Sequence, residues 1–345
     1  MKNDEEKASP AGQEPFEVGY FRPEDAEGIV RLFHAVYGEH YPIRLFYDPA
    51  AITAANREGR YYSIVARTAS GQVIGVNHLY LSSPCRNLYE SGVGLVLKEY
   101  RNTGANTRML GYLYEEFVPR KENIEEVFGE AVCNHPYMQK AVATFRYVET
   151  AIEVALMPAE AYTKEKSAAG RVATLTAFRC YLPKPHRIFL PAVYDETLRR
   201  IYGRLDDTRD LGISGDRIPA GAATRAQMEI FDFARVARIA VHEIGADFRD
   251  TLSELEARGR EKNAVVFQVW VNLTTPWVGE AVELLRGKGY FFGGALPRWF
   301  DGDGLLMQKL ICPPDFEGIV LESDFSKELL KVIQEDWRRA QSAKA

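Results

Sequence analysis

Short apolar runs of strand type alternate with amphipathic segments of helical spacing in the first half of the chain. The segment after Pro23 shows the helical type clearly, with apolar residues at Ile29, Val30, Phe33 and Val36. A polar stretch at residues 68–72 separates two strand-like runs and predicts a hairpin turn. The pattern predicts strands at 16–21, 61–67, 73–81, 88–100, 124–133 and 150–157, and helices after 22, over 49–58, after 106 and over 136–146.

The second half shows the same alternation after a polar stretch rich in Ala and Lys. That stretch, residues 159–171, is predicted to be a linker, and the charged residues 1–14 are predicted to be a disordered tail. Beyond the linker the pattern predicts strands at 172–182, 229–241, 264–271 and 305–310, helices at 195–202 and 327–340, and a loop at 203–225.

Composition narrows the class of protein. With 345 residues the chain is long enough for two domains, and 46% hydrophobic and 26% charged residues are typical of a water-soluble globular protein. A net charge of −5 gives no support for nucleic acid or an anionic membrane as partner. The four cysteines lack metal-binding spacing and are expected to be reduced, so we expect a cytoplasmic protein without a metal.

An internal repeat relates the two halves. Asn123, Pro136 and Ala141-Val142 recur 140 residues later as Asn263, Pro276 and Ala281-Val282. Gly104-Ala105 recurs as Gly245-Ala246 at an offset of 141. Each pair lies in the same predicted strand–turn–helix unit, so the sequence predicts two copies of one domain, at residues 15–158 and 172–345.

The stretch LVLKEYRNTGANTRML, residues 95–110, carries the most specific chemistry. A strand-like run enters a small-residue loop and then an amphipathic helix. The first N–H groups of such a helix have no intrahelical acceptor, and the helix dipole adds positive charge there. Gly104 allows close approach of an anion, and the guanidinium of Arg101 adds a bidentate donor. We interpret this loop as a cradle for a pyrophosphate.

The corresponding loop of the second copy has the opposite charge. It reads His242-Glu243-Ile244-Gly245-Ala246-Asp247-Phe248, so the arginine is lost and two carboxylates enter. Like charges close together in a partly desolvated loop are unfavourable. Only the first loop is therefore expected to bind phosphates.

The first loop, with its strand and the strand–helix unit that follows, resembles the GNAT N-acetyltransferase family. It is similar to that family's coenzyme A signature, Arg/Gln-x-x-Gly-x-Gly/Ala, with Asn106 at the last position. The resemblance implies an α+β fold of two GNAT-like domains, each a mixed, twisted sheet flanked by helices. It also implies acyl transfer from acetyl-coenzyme A, as co-substrate, to an amine on a small molecule or protein. The residues expected to bind coenzyme A are Val96, Leu97, Lys98, Arg101, Asn102, Thr103, Gly104, Ala105, Asn106, Thr107 and Asn134.

Direct attack of an amine on a thioester needs a base and an acid. Glu130, inside an apolar strand, is the first candidate base, with a structural salt bridge as the alternative. Tyr147 is the candidate acid for the departing thiolate, with core packing as the alternative. His135 is a further catalytic candidate or a loop residue, and Glu90 is a further base candidate or a solvated strand residue.

Two questions remain open from the sequence. Residues 296–301, LPRWFD, are expected to interrupt the last hairpin and either shape an acceptor pocket or form a loop with a buried Trp299. The competing function is a non-catalytic sensor that binds acyl-coenzyme A. A nucleotide-binding enzyme ranks last, because no Walker lysine follows Gly104.

Overall fold

The computed structural model describes residues 14–159 and 170–342. The predicted tail, except Glu14, and most of the predicted linker therefore lie outside the described residues. Contacts divide the chain into two compact units. The first unit comprises Met1–Ser82 and Tyr89–Ile124, and the second comprises Ser83–Leu88 and Glu125–Ala345.

The first unit is a four-stranded antiparallel sheet with helices on its faces. Its sheet has the order β1-β2-β3-β4, and the apolar face of α1 packs on it through Ile29, Leu32 and Phe33. A buried ion pair between Arg67 and Asp25, 2.6 Å long, ties β2 to the turn that begins α1. The elements are β1 Phe16–Tyr20, α1 Ala26–Tyr37, α2 Pro49–Arg57, β2 Tyr61–Thr68, β3 Val73–Tyr80, β4 Leu88–Val96 and α3 Ala105–Gly111, which continues as a π-helical turn Tyr112–Phe117.

The second unit contains the remaining elements. They are β5 Glu126–Val132, α4 Tyr137–Ala143, β6 Val148–Pro158, β7 Arg171–Cys180, β8 His186–Pro191, α5 Asp195–Tyr202, β9 Arg209–Ser214, β10 Arg225–Phe231, β11 Val236–Glu243, α6 Phe248–Glu261, β12 Val266–Asn272, α7 Val278–Gly287, β13 Phe291–Phe300, β14 Gly302–Leu310 and α8 Asp324–Ser342. Strands β5-β7-β6-β13-β14-β12-β11-β10 form one mixed sheet, and β8 and β9 pair in parallel beside it.

This sheet is strongly curled. One buried cluster contains Phe128 of β5, Phe178 of β7, Trp299 of β13, Trp270 of β12 and Ala240 of β11. The rings of Phe128 and Trp299 lie 5.1 Å apart, and those of Trp270 and Trp299 lie 4.8 Å apart. Side chains from strands far apart in the sheet order touch only when the sheet folds back on itself, so its concave face forms a closed core.

The structure confirms the mixed α and β content and a mixed sheet, in which β11 and β12 pair in parallel. Strand β4 ends at Val96, earlier than predicted, because a 3-10 turn occupies Lys98–Tyr100. The predicted loop at 203–225 is wrong in part, since it contains β9, and β8 was not predicted. The predicted strand 229–241 is two strands, β10 and β11, joined by a turn in which Arg235 has a φ of 54°.

The repeat coincides with equivalent elements. Strand β12, Val266–Asn272, begins and ends 140 residues after strand β5, Glu126–Val132. A helix follows each of the two strands. The predicted boundary at residues 159–171 does not coincide with the division into units, because β6 and β7 on its two sides pair with each other. The assignment of two GNAT-like domains therefore stays a prediction.

Helix α1 depends on a close approach to the sheet at Gly28. A Cβ added there would lie 2.4 Å from Cγ2 of Val73. We predict that Gly28→Ala destabilises the protein by ~1–3 kcal/mol through overpacking, although alanine favours helices. The control is Gly287→Ala at the end of α7, where an added Cβ meets nothing within 4 Å. Thermal unfolding should show a lower midpoint for Gly28→Ala alone; equal midpoints would contradict the packing argument.

Candidate functional site

The predicted cradle lies at the start of α3 in the first unit. Asn102 and Gly104 both have positive φ, 66° and 83°, so the chain turns sharply between the strand and the helix. Gly104 occupies the N-cap position, no side chain caps the helix, and a Cβ added to Gly104 would meet nothing within 4 Å. The space in front of the first helical turn is therefore open.

Backbone donors and an exposed arginine belong to this turn. Within the described parts of the chain, the N–H groups of Gly104, Ala105 and Asn106 have no hydrogen-bond acceptor. The exposed Arg101 has no ion pair with any described residue. Unpaired N–H groups beside a positive side chain suit a phosphate oxygen. The hydroxyl of Thr103, in contrast, donates to the carbonyl of Tyr100 at 2.7 Å, so Thr103 shapes the turn.

The strand that leads into the cradle is interrupted by a bulge. The β3–β4 register shifts between Val76 and His78, and Val93 of β4 has a φ of 54°. Beyond the bulge, the N–H of Leu97 donates to the carbonyl of Ile74 on β3 at 2.8 Å. Because backbone groups alternate in direction along a strand, those of Val96 face the other edge of β4. Val96 and Leu97 were both predicted to bind coenzyme A. The backbone groups of Val96 point away from β3, whereas the N–H of Leu97 is already bonded to β3.

The equivalent loop of the second unit is closed by the chain itself. The N–H of Ala246 donates to the carbonyl of Ala222 at 2.9 Å, and the N–H of Gly245 donates to Oγ1 of Thr224 at 3.1 Å. A Cβ on Gly245 would lie 2.3 Å from the carbonyl carbon of Ala223. Residues 222–224, which we call the plug, thus occupy the place where an anion would bind.

The two carboxylates of this loop have local partners. Asp247 accepts a hydrogen bond from the N–H of Thr224 at 2.7 Å, and its hydrogen bonds with Thr224 lower the pKa of Asp247. Glu243 pairs with Arg225 at 2.9 Å on the surface. The sequence predicted from the two carboxylates that the loop at 242–248 does not bind phosphate. The structure adds a steric reason, because the plug fills the space in front of the helix.

Glu130 belongs to a buried polar network of the second unit. Its Oε1 lies 3.4 Å from Nη2 of Arg238, which also pairs with Glu153 at 3.1 Å. Nε of Arg238 donates to Gln268 at 2.8 Å, and Gln268 donates to Glu153 at 2.5 Å. These residues lie on four different strands, so the network stabilises the curled sheet. This is the structural salt bridge considered as the alternative for Glu130.

The predicted coenzyme A contact Asn134 and the other predicted catalytic residues follow β5 in the same unit. Asn134 and His135 are half-buried in the turn between β5 and α4, and the ring of His135 lies 5.0 Å from that of Tyr137. Tyr147, between α4 and β6, is buried, with 7% of its surface exposed. Their roles toward a substrate stay predictions.

Glu90, a lesser candidate in the sequence, lies in β4 of the first unit. The hydroxyl of Tyr80 donates to Oε1 of Glu90 at 2.5 Å, and the ring of Tyr61 stacks on that of Tyr80 at 5.3 Å. Burial, and secondly the charge of Glu90, raise the pKa of Tyr61. Gly92, two residues further along the strand, makes room for this contact, because a Cβ added there would lie 2.8 Å from the hydroxyl of Tyr80.

Residues 296–300 form the end of β13, and Asp301 lies in the turn to β14, so this segment is not a separate loop. The register of β13 with β14 shifts between Leu296 and Phe300, and Arg298 at this bulge has a φ of 54°. Trp299 is buried as expected, but Arg298 is also buried and pairs with Glu125 at 2.8 Å. An open cleft of about 450 Å³ in the second unit is lined by Pro84, Cys85, Arg86, Asn87, Lys184, His242, Phe300 and Asp301.

Within the described ranges, no helix has both the length and the apolar character required to cross a membrane.

No protein-family model matches the sequence, and no curated protein sequence matches it. Solved structures of N-acetyltransferases resemble about half of the chain. The ribosomal-protein-S5-alanine acetyltransferase of Vibrio fischeri is 11% identical, with a TM-score of 0.39, over 48% of this chain and 93% of that one. The ribosomal-protein-S18-alanine N-acetyltransferase of Escherichia coli is 12% identical, with a TM-score of 0.38, over 49% and 96%.

A third such structure is YncA of Salmonella typhimurium, a putative acetyltransferase with its cofactor acetyl-CoA. It is 12% identical, with a TM-score of 0.39, over 49% of this chain and 96% of that one. About half of this chain is thus similar in fold to solved structures of acetyltransferases.

The plug generates a prediction about stoichiometry. We expect calorimetric titration with coenzyme A to saturate at one molecule per chain, because the plug already satisfies the donors of the second loop. The double variant Arg101→Ala/Gly104→Asp is the control: it weakens the first site, and the titration should then reveal no other binding of the original affinity. Two equivalent molecules per chain at saturation would contradict the assignment of the second loop.

Proposed function

We propose that the protein transfers an acetyl group from acetyl-coenzyme A to an amine acceptor. One observation carries the proposal: with respect to the described residues, the loop at 101–106 holds N–H donors without acceptors, a glycine with positive φ and an arginine without an ion pair. These are the groups that a diphosphate requires. The plug supports the same interpretation, because it supplies a carbonyl and a hydroxyl to the equivalent N–H groups in the second unit.

The bulge in β4 supports a binding mode for the rest of the co-substrate. Backbone groups of Val96 face away from β3, and a ligand with amide groups can pair with them as an additional strand does. Such pairing would run from the cradle toward the bulge at Val93 and so approach Glu90 on the same strand. We propose that Asn102, Thr103, Ala105, Asn106 and Thr107 line the diphosphate site, with Lys98 beside it and Asn134 as a further contact.

The acceptor amine has to lose a proton during the transfer. A carboxylate accepts it directly or through one water molecule. The ion pair with Arg238 ties Glu130 into the polar network, so we propose Glu90, which accepts a hydrogen bond from the hydroxyl of Tyr80, as the first candidate for this role and Glu130 as the second. Tyr147 remains the proposed acid, and His135 a further candidate.

The cradle is tested by binding. We predict that Arg101→Ala/Gly104→Asp weakens coenzyme A at least tenfold, about 1.4 kcal/mol, because it removes one charge-assisted donor and adds a repelling carboxylate. Gly104→Ala controls for the strain of a side chain at positive φ. Arg57→Ala, at an exposed arginine on α2, controls for the loss of a positive charge. Unchanged affinity in the folded double variant, measured by calorimetry, would refute the cradle.

Turnover distinguishes an enzyme from a sensor. With acetyl-coenzyme A and a panel of amines that includes polyamines and lysine peptides, we expect free thiol to appear. Glu90→Gln and Tyr147→Phe should each lower this rate by roughly 10²–10⁴-fold with coenzyme A affinity retained.

Glu130→Gln is the matched control, because it removes a carboxylate from the polar network. It should lower the melting temperature and leave most of the rate of thiol release. A larger loss of rate in Glu130→Gln than in Glu90→Gln would assign the base to Glu130. Tight binding of acetyl-coenzyme A without thiol release for any amine would favour the sensor.

A further inference from the structure

Three potential metal ligands meet in the second unit, away from the cradle. Glu126 of β5 and Cys180 of β7 are directly opposite each other in the antiparallel register, and Asp207 lies in the loop between α5 and β9. One carboxylate oxygen from each acid and the sulfur of Cys180 all lie within 4.8 Å of one another. No short sequence motif joins these residues, so the sequence alone gave no indication of the cluster.

Both acids present oxygens that lack hydrogen-bond donors. Glu126 is 1% exposed, and neither of its carboxylate oxygens has a hydrogen-bond partner among the described residues. Oδ1 of Asp207 accepts from the N–H groups of Lys184 and Thr208 at 2.8 and 3.0 Å. This orients Oδ2, which is buried without a hydrogen bond, toward the cluster. A buried carboxylate without donors is costly, and a metal ion would remove that cost.

The two arginines near this cluster form their shortest ion pairs with acids outside it. Arg209 pairs with Asp303 at 2.5 Å, and Arg298 pairs with Glu125 at 2.8 Å. Oδ2 of Asp207 lies further from both guanidinium groups, at 3.8 Å from Arg209 and 3.6 Å from Arg298. His186 lies 3.1 Å from Asp303 and 3.8 Å from Asp207. Among the described residues Glu126 has no ion pair, so a metal ion would bind its carboxylate without breaking one.

We propose that Glu126, Cys180 and Asp207 bind one divalent metal ion of the zinc class. A thiolate with two carboxylates favours zinc over the harder magnesium and calcium ions, and three protein ligands leave a position for water. The ion joins β5, β7 and the α5–β9 loop. Cys180 is partly exposed, which gives the ion a path from solvent.

Binding exchanges protons for the ion. The S–H bond of Cys180 breaks, a metal–sulfur bond forms, and the proton leaves to solvent. In the absence of metal, burial raises the pKa of the Cys180 thiol to about 12 and that of the Glu126 carboxyl to about 8. Near neutral pH the ion therefore displaces a proton from each group.

Cadmium is a suitable probe, because a cadmium–thiolate bond has its own ultraviolet charge-transfer band. The full chain, stripped of metal with a chelator, should develop this band on titration and saturate at one Cd²⁺ per chain. Zn²⁺ should compete and remove the band. Cys180→Ser should abolish the band, and Glu126→Gln should weaken Cd²⁺ at least tenfold while circular dichroism confirms that the variant is folded.

Cys312→Ser, at another partly exposed cysteine, is the matched control and should behave like the unmodified chain. A band that survives Cys180→Ser would overturn the proposal, as would the absence of any band in the unmodified protein. Unchanged affinity in folded Glu126→Gln would also overturn it, since Cys180 would then bind the metal as a single surface thiol.

Discussion

Every helix that follows a strand in this chain leaves N–H groups of its first turn without an intrahelical acceptor, and something else has to satisfy them. At the start of α6 the chain supplies acceptors itself, through Ala222 and Thr224. At the start of α3 the described residues supply none, and Arg101 adds a positive charge. The two loops have the same place in the repeat, so the plug is what separates a closed loop from an open one.

The plug also gives a structural reason for a glycine at position 245. Residues 222–224 pack so closely on it that any side chain would collide with the backbone. In the first unit the glycine serves a different purpose, because Gly104 has a positive φ and open space in front of it. A shared Gly-Ala pair therefore indicates a shared backbone turn, and the function of the turn depends on what approaches it.

Local patterns made much of the fold predictable. Strands β2 and β3 and helix α5 follow from apolar spacing and a polar turn, and the cradle was readable because its donors are consecutive in sequence. The turn between β10 and β11 was missed because it contains no glycine or proline and places Arg235 at positive φ. Strand β8 was missed because prolines flank a run of only a few apolar residues.

The parts that could not be predicted depend on sheet register and curvature. Glu130 meets Arg238 because the sheet curls, and Glu126 meets Cys180 because β5 and β7 pair in one particular register. A strand shifted by one residue would turn these side chains to the opposite face. The sequence placed Glu130 ahead of Glu90 as a candidate base, whereas the structure gives Glu130 an arginine as partner and gives Glu90 a hydrogen bond from a tyrosine hydroxyl. The ion pair with Arg238 holds Glu130 in the network that stabilises the curled sheet, and for that reason we propose the carboxylate on the strand that leads into the cradle as the first candidate for the proton acceptor.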